Sequence, residues 1–529
     1  MSESVRVRIS GIDVTDVVAQ LVDDTVASQV AAQRPTLWGA EAEPEASKRL
    51  GWVAASEVSR PLVAEIEALR AELREDGVDS VVLCGMGGSS LAPEVITRSS
   101  GAGLVLLDST EPTVVARALG GDLRRTVVVV SSKSGSTLET DSQRRAFVAA
   151  FTKAGIDAAS RIVVVTDPDS ELHQLATLEG YHVFLADPSV GGRYSALTAF
   201  GLVPSGLAGV DVAALLDDAE AVRPALAEDS SDNPALVLAA LLAGDRDRDK
   251  VVIADAGSGI TGFGAWAEQL LAESTGKEGK GILPVPVEGT DAPDFKTPAD
   301  DVVRIVLEPA NEGARLDDAL PTAGVSGLLG GQLLLWETAT AVAGRLLGIN
   351  PFDQPDVESA KQAARGMLDA RPEPPAPDFT DGVVELRGAP AGAGDLHGAI
   401  STLLDQLPKR GYVAVMAYLD PERDVALIET RRALAERTGR PATFGWGPRF
   451  LHSTGQYHKG GPAVGVYIQV SAECPSDQPI PDRPFSFGEL IAAQAAGDAQ
   501  VLADHGRPVL RLHLTDPGSG VRQLLEVLR

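Results

Sequence analysis

The residue types best suited to chemistry cluster where runs of β-branched residues give way to helical patterns. Val127 to Val130 leads into Ser131-Ser132-Lys133-Ser134-Gly135-Ser136-Thr137, followed by Glu139-Thr140. Hydroxyls and a lysine at the end of a strand form a dense set of donors for phosphate oxygens, although such a turn can also be a solvated helix cap. Val81 to Cys84 is likewise followed by Gly85-Met86-Gly87-Gly88-Ser89-Ser90. Glycines there let backbone approach a ligand, or merely allow a turn. Two such loops after successive strands would open on the same sheet edge, where open α/β folds bind ligands. Further along, an amphipathic helix carries Gln269 and Glu273 one turn apart. A carboxylate can take a proton from the carbon beside a carbonyl and return it to the neighbouring carbon. Glu273 could equally be a surface residue paired with Lys277 at i+4.

Alternating elements must position these groups. Short β-branched runs at Val81–Cys84, Leu104–Leu107, Val127–Val130, Ile162–Val165 and Val183–Leu185 alternate with helical patterns. That alternation is the signature of a parallel sheet covered by helices. A second series, at Val251–Ala254, Ile282–Val287 and Val302–Leu307, follows a helical stretch near 210–245, and Leu328–Leu347 reads as a buried helix ending before Asn350-Pro351. The closely spaced prolines of 371–378 predict an extended linker. Beyond it, strands at Tyr412–Leu419, Ala442–Gly445, Val464–Val470 and Val509–Leu514 with helices at Arg423–Thr438 and near 487–505 predict a small α/β domain. The expected organisation is a helical segment over 1–60 around Trp38 and Trp52 packing on the first sheet, α/β domains over 61–208 and 209–370, the linker, and a third α/β domain over 379–529.

Composition narrows the function classes. A chain of 529 residues with 44% hydrophobic content can bury several cores. With 46 Lys and Arg against 74 Asp and Glu, a net charge of −28 argues against nucleic acid or an anionic membrane as partner. A small phosphate held by local backbone donors remains compatible with that charge. The sequence shows no apolar run of membrane-spanning length and no secretory pattern at its start, so a cytoplasmic location is the expectation. Cys84 and Cys474 suggest no disulfide framework, and no metal or cofactor is expected.

Five motifs in one order resemble those of the phosphoglucose isomerases, the two-domain sugar-isomerase family. They are Gly85 to Pro93, Ser132 to Thr140, Gly191-Gly192-Arg193-Tyr194-Ser195, Ala267 to Lys277, and Asn350 to Pro355 followed by Val357 to Lys361. The resemblance spans roughly residues 60–365 and implies two tandem sugar-isomerase domains, each a parallel sheet with helices on both faces. It also implies interconversion of an aldose 6-phosphate, glucose 6-phosphate, and its ketose, fructose 6-phosphate, through an enediolate. Gly88 and Ser89 would bind the sugar, while Ser132, Ser134, Thr137 and the Lys133 backbone would hold the phosphate. Arg193 would stabilise enediolate charge, Gln269 and Gln354 would contact substrate, Glu273 would carry the proton, and Lys361 would assist ring opening. A homodimer is implied, since related enzymes tend to build their sites at dimer interfaces.

One expected group is missing. Members of the family commonly carry a ring-opening histidine between the glutamate and lysine motifs, and the interval from Glu273 to Lys361 has none. The stretch Phe444 to Pro462, which concentrates Arg449, His452, His458, Lys459 and several glycines between two strands, offers His452 or His458 instead. His452 leads because it is nearest Arg449. Turn glycines and structural histidines would be the ordinary alternative, and the spacing supports no zinc site. The stretch resembles the C-terminal extension of an isomerase subgroup found alone or fused to transaldolase, which makes association with transaldolase a further expectation. Two other functions fit: a dual phosphoglucose/phosphomannose isomerase, because epimers at C2 share one enediolate, and a non-catalytic sugar-phosphate sensor.

Overall fold

The computed structural model describes residues 5–310, 316, 319–370 and 375–528, with backbone alone at 357, 358 and 360. Residues 371–374 of the proline-rich linker lie outside the described residues. Three sheets organise the described residues. The first is wholly parallel, in the order Val105–Leu107, Ser80–Gly85, Thr126–Ser131, Ile162–Thr166, His182–Leu185. Its strands are continuous apolar runs because both faces are covered. Val81, Leu83, Val127 and Val129 join one apolar cluster, while Val82, Cys84, Val128 and Val130 join another on the opposite face.

The second sheet runs Arg6–Ser10, Thr322–Ser326, Val302–Glu308, Lys250–Asp255, Leu283–Pro286, parallel except for the first strand. That edge strand corrects the reading of 1–60 as helices packed on the first sheet. Arg6-Val7-Arg8-Ile9 alternates with period two over only a few residues, and its partner lies more than three hundred residues on. Trp38 also belongs with the second sheet's layer, its indole Nε1 donating to the Ala341 carbonyl at 2.8 Å.

The third sheet is mixed, in the order Phe379–Asp381, Val384–Arg387, Val509–Leu514, Gly465–Ala472, Tyr412–Tyr418, Ala442–Trp446. Alternation along its strand Tyr412–Tyr418 decides how the chain is assembled. Val413, Val415 and Ala417 face the domain's own core. Tyr412, Ala414, Met416 and Tyr418 instead share a cluster with Val252, Ala254, Leu283, Val285 and Val306 of the second sheet. On this face of the second sheet the third domain packs together with Phe295 of the short helix Pro293–Lys296. The third domain also meets the first, since Ile480, Phe487, Leu490 and Ala493 pack with Phe147, Phe151 and Val164. Charge follows the same seam: the fully buried Lys250 pairs with Asp301 at 2.7 Å, and Arg440 of the third domain with Asp301 at 2.6 Å.

Deleting residues 375–528 would expose apolar surface on both other domains. We expect the remainder to aggregate or to lose a cooperative thermal transition, read by sedimentation and calorimetry. A monodisperse, cooperatively melting fragment would show that the first two domains need no third.

Candidate functional site

Strand order fixes where the cleft lies. In the first sheet the chain passes from Ser80–Gly85 to the neighbour on one side and then crosses to the neighbour on the other, so a switch point falls between Ser80–Gly85 and Thr126–Ser131. Gly85 stands opposite Ser131 in register, and the glycine loop and the serine loop leave the sheet at one level. Between them and the helices Phe263–Thr275 and Pro355–Ala370 lies a cleft of about 840 Å³. Its lining includes Gly88, Ser89, Ser132, Lys133, Ser134, Thr137, Arg193, Gln269, Glu273, Gln354, Lys361 and His452. Of the sequence-predicted residues, His458 alone is not in it.

The loops pack too closely for side chains. Gly87 has φ +57°, and a Cβ there would stand 2.7 Å from Gln269 Nε2, while one at Gly88 would stand 2.0 Å from the Gly192 carbonyl oxygen. Glycine is what lets the 85–90 and 191–193 loops touch. In the serine loop, the Ser132 and Thr137 hydroxyls are 3.0 Å apart and those of Ser134 and Ser136 2.9 Å apart. Thr137 precedes the helix Leu138–Lys153 without capping it through its side chain, leaving first-turn N–H groups for an anion. The Lys133 side chain turns away to Asp167 at 2.6 Å.

On the opposite wall Glu273 is buried, and burial raises its carboxyl above the ordinary range, against the charges of Arg193, His452, Lys361 and Lys277. Its Oε2 lies 3.9 Å from Arg193 Nη1 and accepts from Gln269 Nε2 at 3.3 Å. The buried Arg193 donates from Nε to Ser274 Oγ at 2.8 Å, from Nη1 to Gln354 Oε1 at 2.7 Å, and from Nη2 to the carbonyls of Pro351 and Asp353 at 2.6 and 3.1 Å. Lys277 is not the surface partner of Glu273 that helix spacing allows. Its ammonium donates to the carbonyls of Asn350 and Asp353 at 2.7 and 2.5 Å, and burial with the neighbouring Arg193 lowers it to about 8.

The third domain supplies the remaining wall. Phe444 to Pro462 is no plain loop: it contains the 3₁₀ turn Arg449–His452 and the short helix Gly455–Gly460. Arg449 pairs with Glu94 and, at 3.0 Å, with Asp108 of the first domain. Gln456 bonds the Gly276 carbonyl and Asp356, joining the end of the Glu273 helix to the start of the Lys361 helix. The His452 carbonyl accepts from Gln269 Nε2 at 2.7 Å, and its ring Nε2 lies 3.2 Å from Glu139 Oε1. Burial alone would raise Glu139, but His452 and Lys361 hold it below the usual carboxylate range. Gln494 donates to the same oxygen at 2.8 Å. Glu139 lies within the stretch Ser132 to Thr140, where nothing local marks it as facing a histidine three hundred residues away. Gln494 had no local signal. No group of three or more His, Cys, Asp or Glu able to hold a metal occurs among the described residues.

His458 is corrected as a cleft residue. The short helix turns it into the core, 2% exposed, against the rings of Tyr412, Phe450 and Tyr467, with no hydrogen-bond partner for either ring nitrogen among the described residues. Burial lowers it from 6.5 to about 3.

The family described as Phosphoglucose isomerase matches residues 70–279. A glucose-6-phosphate isomerase of Rubrobacter xylanophilus is 32% identical over 358 residues, covering 55% of this chain and 82% of that protein. One from Acetivibrio thermocellus is 29% identical over 391 residues, covering 60% and 87%. A Thermus thermophilus structure, hypothetical protein TT0462, aligns with TM-score 0.59 and 25% identity, covering 68% of this chain and 99% of its own. A glucose-6-phosphate isomerase structure from Chlamydia trachomatis aligns with TM-score 0.56 and 20% identity, covering 71% and 90%.

Fold and cleft thus define a doubly wound α/β protein in which a hydroxyl-rich loop faces a buried carboxylate. Within that class, the chain belongs to the phosphoglucose isomerase family.

The buried histidine makes a testable statement about acid stability. Between pH 6.5 and about 3 the unfolded chain binds a proton at His458 that the folded chain refuses, so stability falls as pH drops through this window. His458→Phe should flatten that fall, seen as a smaller difference between urea midpoints at pH 7 and pH 5. Parallel losses in variant and parent would show that the histidine is not buried neutral.

Proposed function

We propose that this protein interconverts glucose 6-phosphate and fructose 6-phosphate by proton transfer through a cis-enediolate. The observation that carries the reading is Glu273: a buried carboxylate 3.9 Å from a guanidinium held by four hydrogen bonds, across the cleft from the hydroxyl-rich loop. The phosphate is bound by Ser132, Ser134, Thr137 and the N–H groups at the start of Leu138–Lys153. The sugar chain then extends along Gly88 and Ser89 toward Glu273. Glu273 removes the proton from C2 of the aldose and delivers it to C1, as one base on one face can do. Arg193 Nη1 faces the oxygens where enediolate charge develops, and its four other bonds keep it from moving as that charge appears. Gln269 is held by its amide nitrogen and keeps a buried Oε1 without a partner among the described residues, ready for a substrate hydroxyl.

Ring opening falls to His452 with Lys361. Glu139 orients the His452 ring, so that the imidazole can pass a proton to or from the ring oxygen. The third domain is thereby part of the active site.

Glu273→Gln should keep sugar-phosphate binding while lowering turnover by about a hundredfold or more in a coupled assay with fructose 6-phosphate. Near-normal turnover would remove Glu273 from the role of base. Because Glu273 works as the anion and burial raises its carboxyl, kcat/KM should fall on the acid side at a pH above the ordinary carboxylate range. A limb near the usual glutamate value would contradict this. His452→Ala should slow turnover of cyclic glucose 6-phosphate more than that of a four-carbon aldose phosphate that cannot close a six-membered ring. Equal impairment of both substrates would assign His452 to structure alone.

A further inference from the structure

Behind the serine loop lies a second cavity, of about 470 Å³, which the reaction above does not use. Arg144 and Arg145 reach it from the helix Leu138–Lys153, Arg365 from the helix Pro355–Ala370, and Arg483 from the third domain. The charged residues lining it are these four arginines and two carboxylates, Asp141 and Glu171, an excess of two positive charges in a chain whose net charge is −28. Three of the arginines converge on one carboxylate. Arg144 Nη2 donates to Asp141 Oδ1 at 2.7 Å, while Arg145 Nε and Arg483 Nη2 donate to Oδ2 at 2.7 and 2.8 Å. Arg145 also approaches the exposed Asp482 at 3.5 Å.

Asp141 cannot satisfy three guanidiniums, each with five donors in a fixed fork. A second observation concerns the same space: Thr140 lines the cavity, is 2% exposed, and its hydroxyl has no hydrogen-bond partner among the described residues. A buried hydroxyl without a partner costs stability unless something in the cavity satisfies it.

We propose that this cavity binds a small phosphorylated molecule at a site separate from the sugar-phosphate cleft. Its phosphate would take the outward donors of Arg145 and Arg483 and the Thr140 hydroxyl, in charge-assisted and partly bidentate bonds. Ser132, Ser136, Thr137 and Arg365 border both cavities, so the ligand would lie against the far side of the loop that receives the substrate phosphate. Arg365 is one helical turn beyond Lys361. A bound anion would therefore join the serine loop, the Lys361 helix and the third domain at one point, a function that the sugar isomerisation does not require.

Inorganic pyrophosphate is the probe. The full-length protein, held in saturating fructose 6-phosphate to occupy the cleft, is titrated by calorimetry. We expect one further equivalent of pyrophosphate to bind, an affinity about tenfold or more weaker in an Arg145→Ala/Arg483→Ala double variant, and kcat unchanged in that variant without pyrophosphate. Thr140→Val, which keeps the shape and loses the hydroxyl, should also weaken binding and serves if the double variant fails to fold. Absence of a further equivalent in the parent, or equal affinity in parent and Thr140→Val, would overturn the proposal. If the sugar-phosphate reading itself were wrong, fructose 6-phosphate would give no binding signal. The pyrophosphate titration and its dependence on Thr140 would still report on this cavity.

Discussion

The whole cleft depends on burying one guanidinium with nearly every donor committed. Arg193 ties a loop of the first domain to Ser274 on the helix of the second, and to the carbonyls and Gln354 of the turn that begins the Lys361 helix. A buried cation is tolerable only where its hydrogen bonds are met, and here carbonyls and an amide meet them without a close ion pair. Glu273 consequently sits 3.9 Å away, near enough to feel the charge and too far to be neutralised by direct contact. Lys277, on the same turn, adds a second buried cation to the same loop. The electrostatics of the site and the joining of the two domains are therefore one device.

The third domain extends this logic. Its own sheet spends one face on its own core and the other on the second domain, so apolar burial fixes it in place on both sides. That rigidity makes a backbone carbonyl at His452 a usable ligand for Gln269 and aims an imidazole at Glu139. A side chain on a freely moving appendage could do neither.

Much of this was legible in the sequence, for reasons that differ by element. Most parallel strands of the first two sheets announced themselves because burial on both faces demands unbroken β-branched runs, as in Val127 to Val130, whereas Thr322–Ser326, with Thr, Ala, Gly and Ser among its five residues, did not. The loops after them were legible because two of them follow successive strands and so open on one sheet edge, although either alone could be a plain turn or cap. The edge strand Arg6–Ser10 was not, since a half-exposed strand of five residues differs little from coil until its partner is known. The two histidines show the limit at the site. His452 and His458 are six residues apart on one motif, and a helix of six residues, Gly455–Gly460, turns one into the core while the other faces the cleft. Composition cannot tell those directions apart. Glu139 and Gln494 share an oxygen contact from positions 355 residues apart, which no local pattern encodes.

The pairing of Arg6–Ser10 with Thr322–Ser326 has a consequence in time as well as space. A ribosome adds about 5–20 residues per second, so the strand waits on the order of 15 to 60 s for its partner to emerge. Throughout that interval its hydrogen-bonding edge is open to other nascent chains. The arginines at positions 6 and 8 work against self-pairing in that interval, because like charges on two such strands repel. Arg8 later finds Glu308 at 2.6 Å, turning a guard used during synthesis into a bond of the finished sheet.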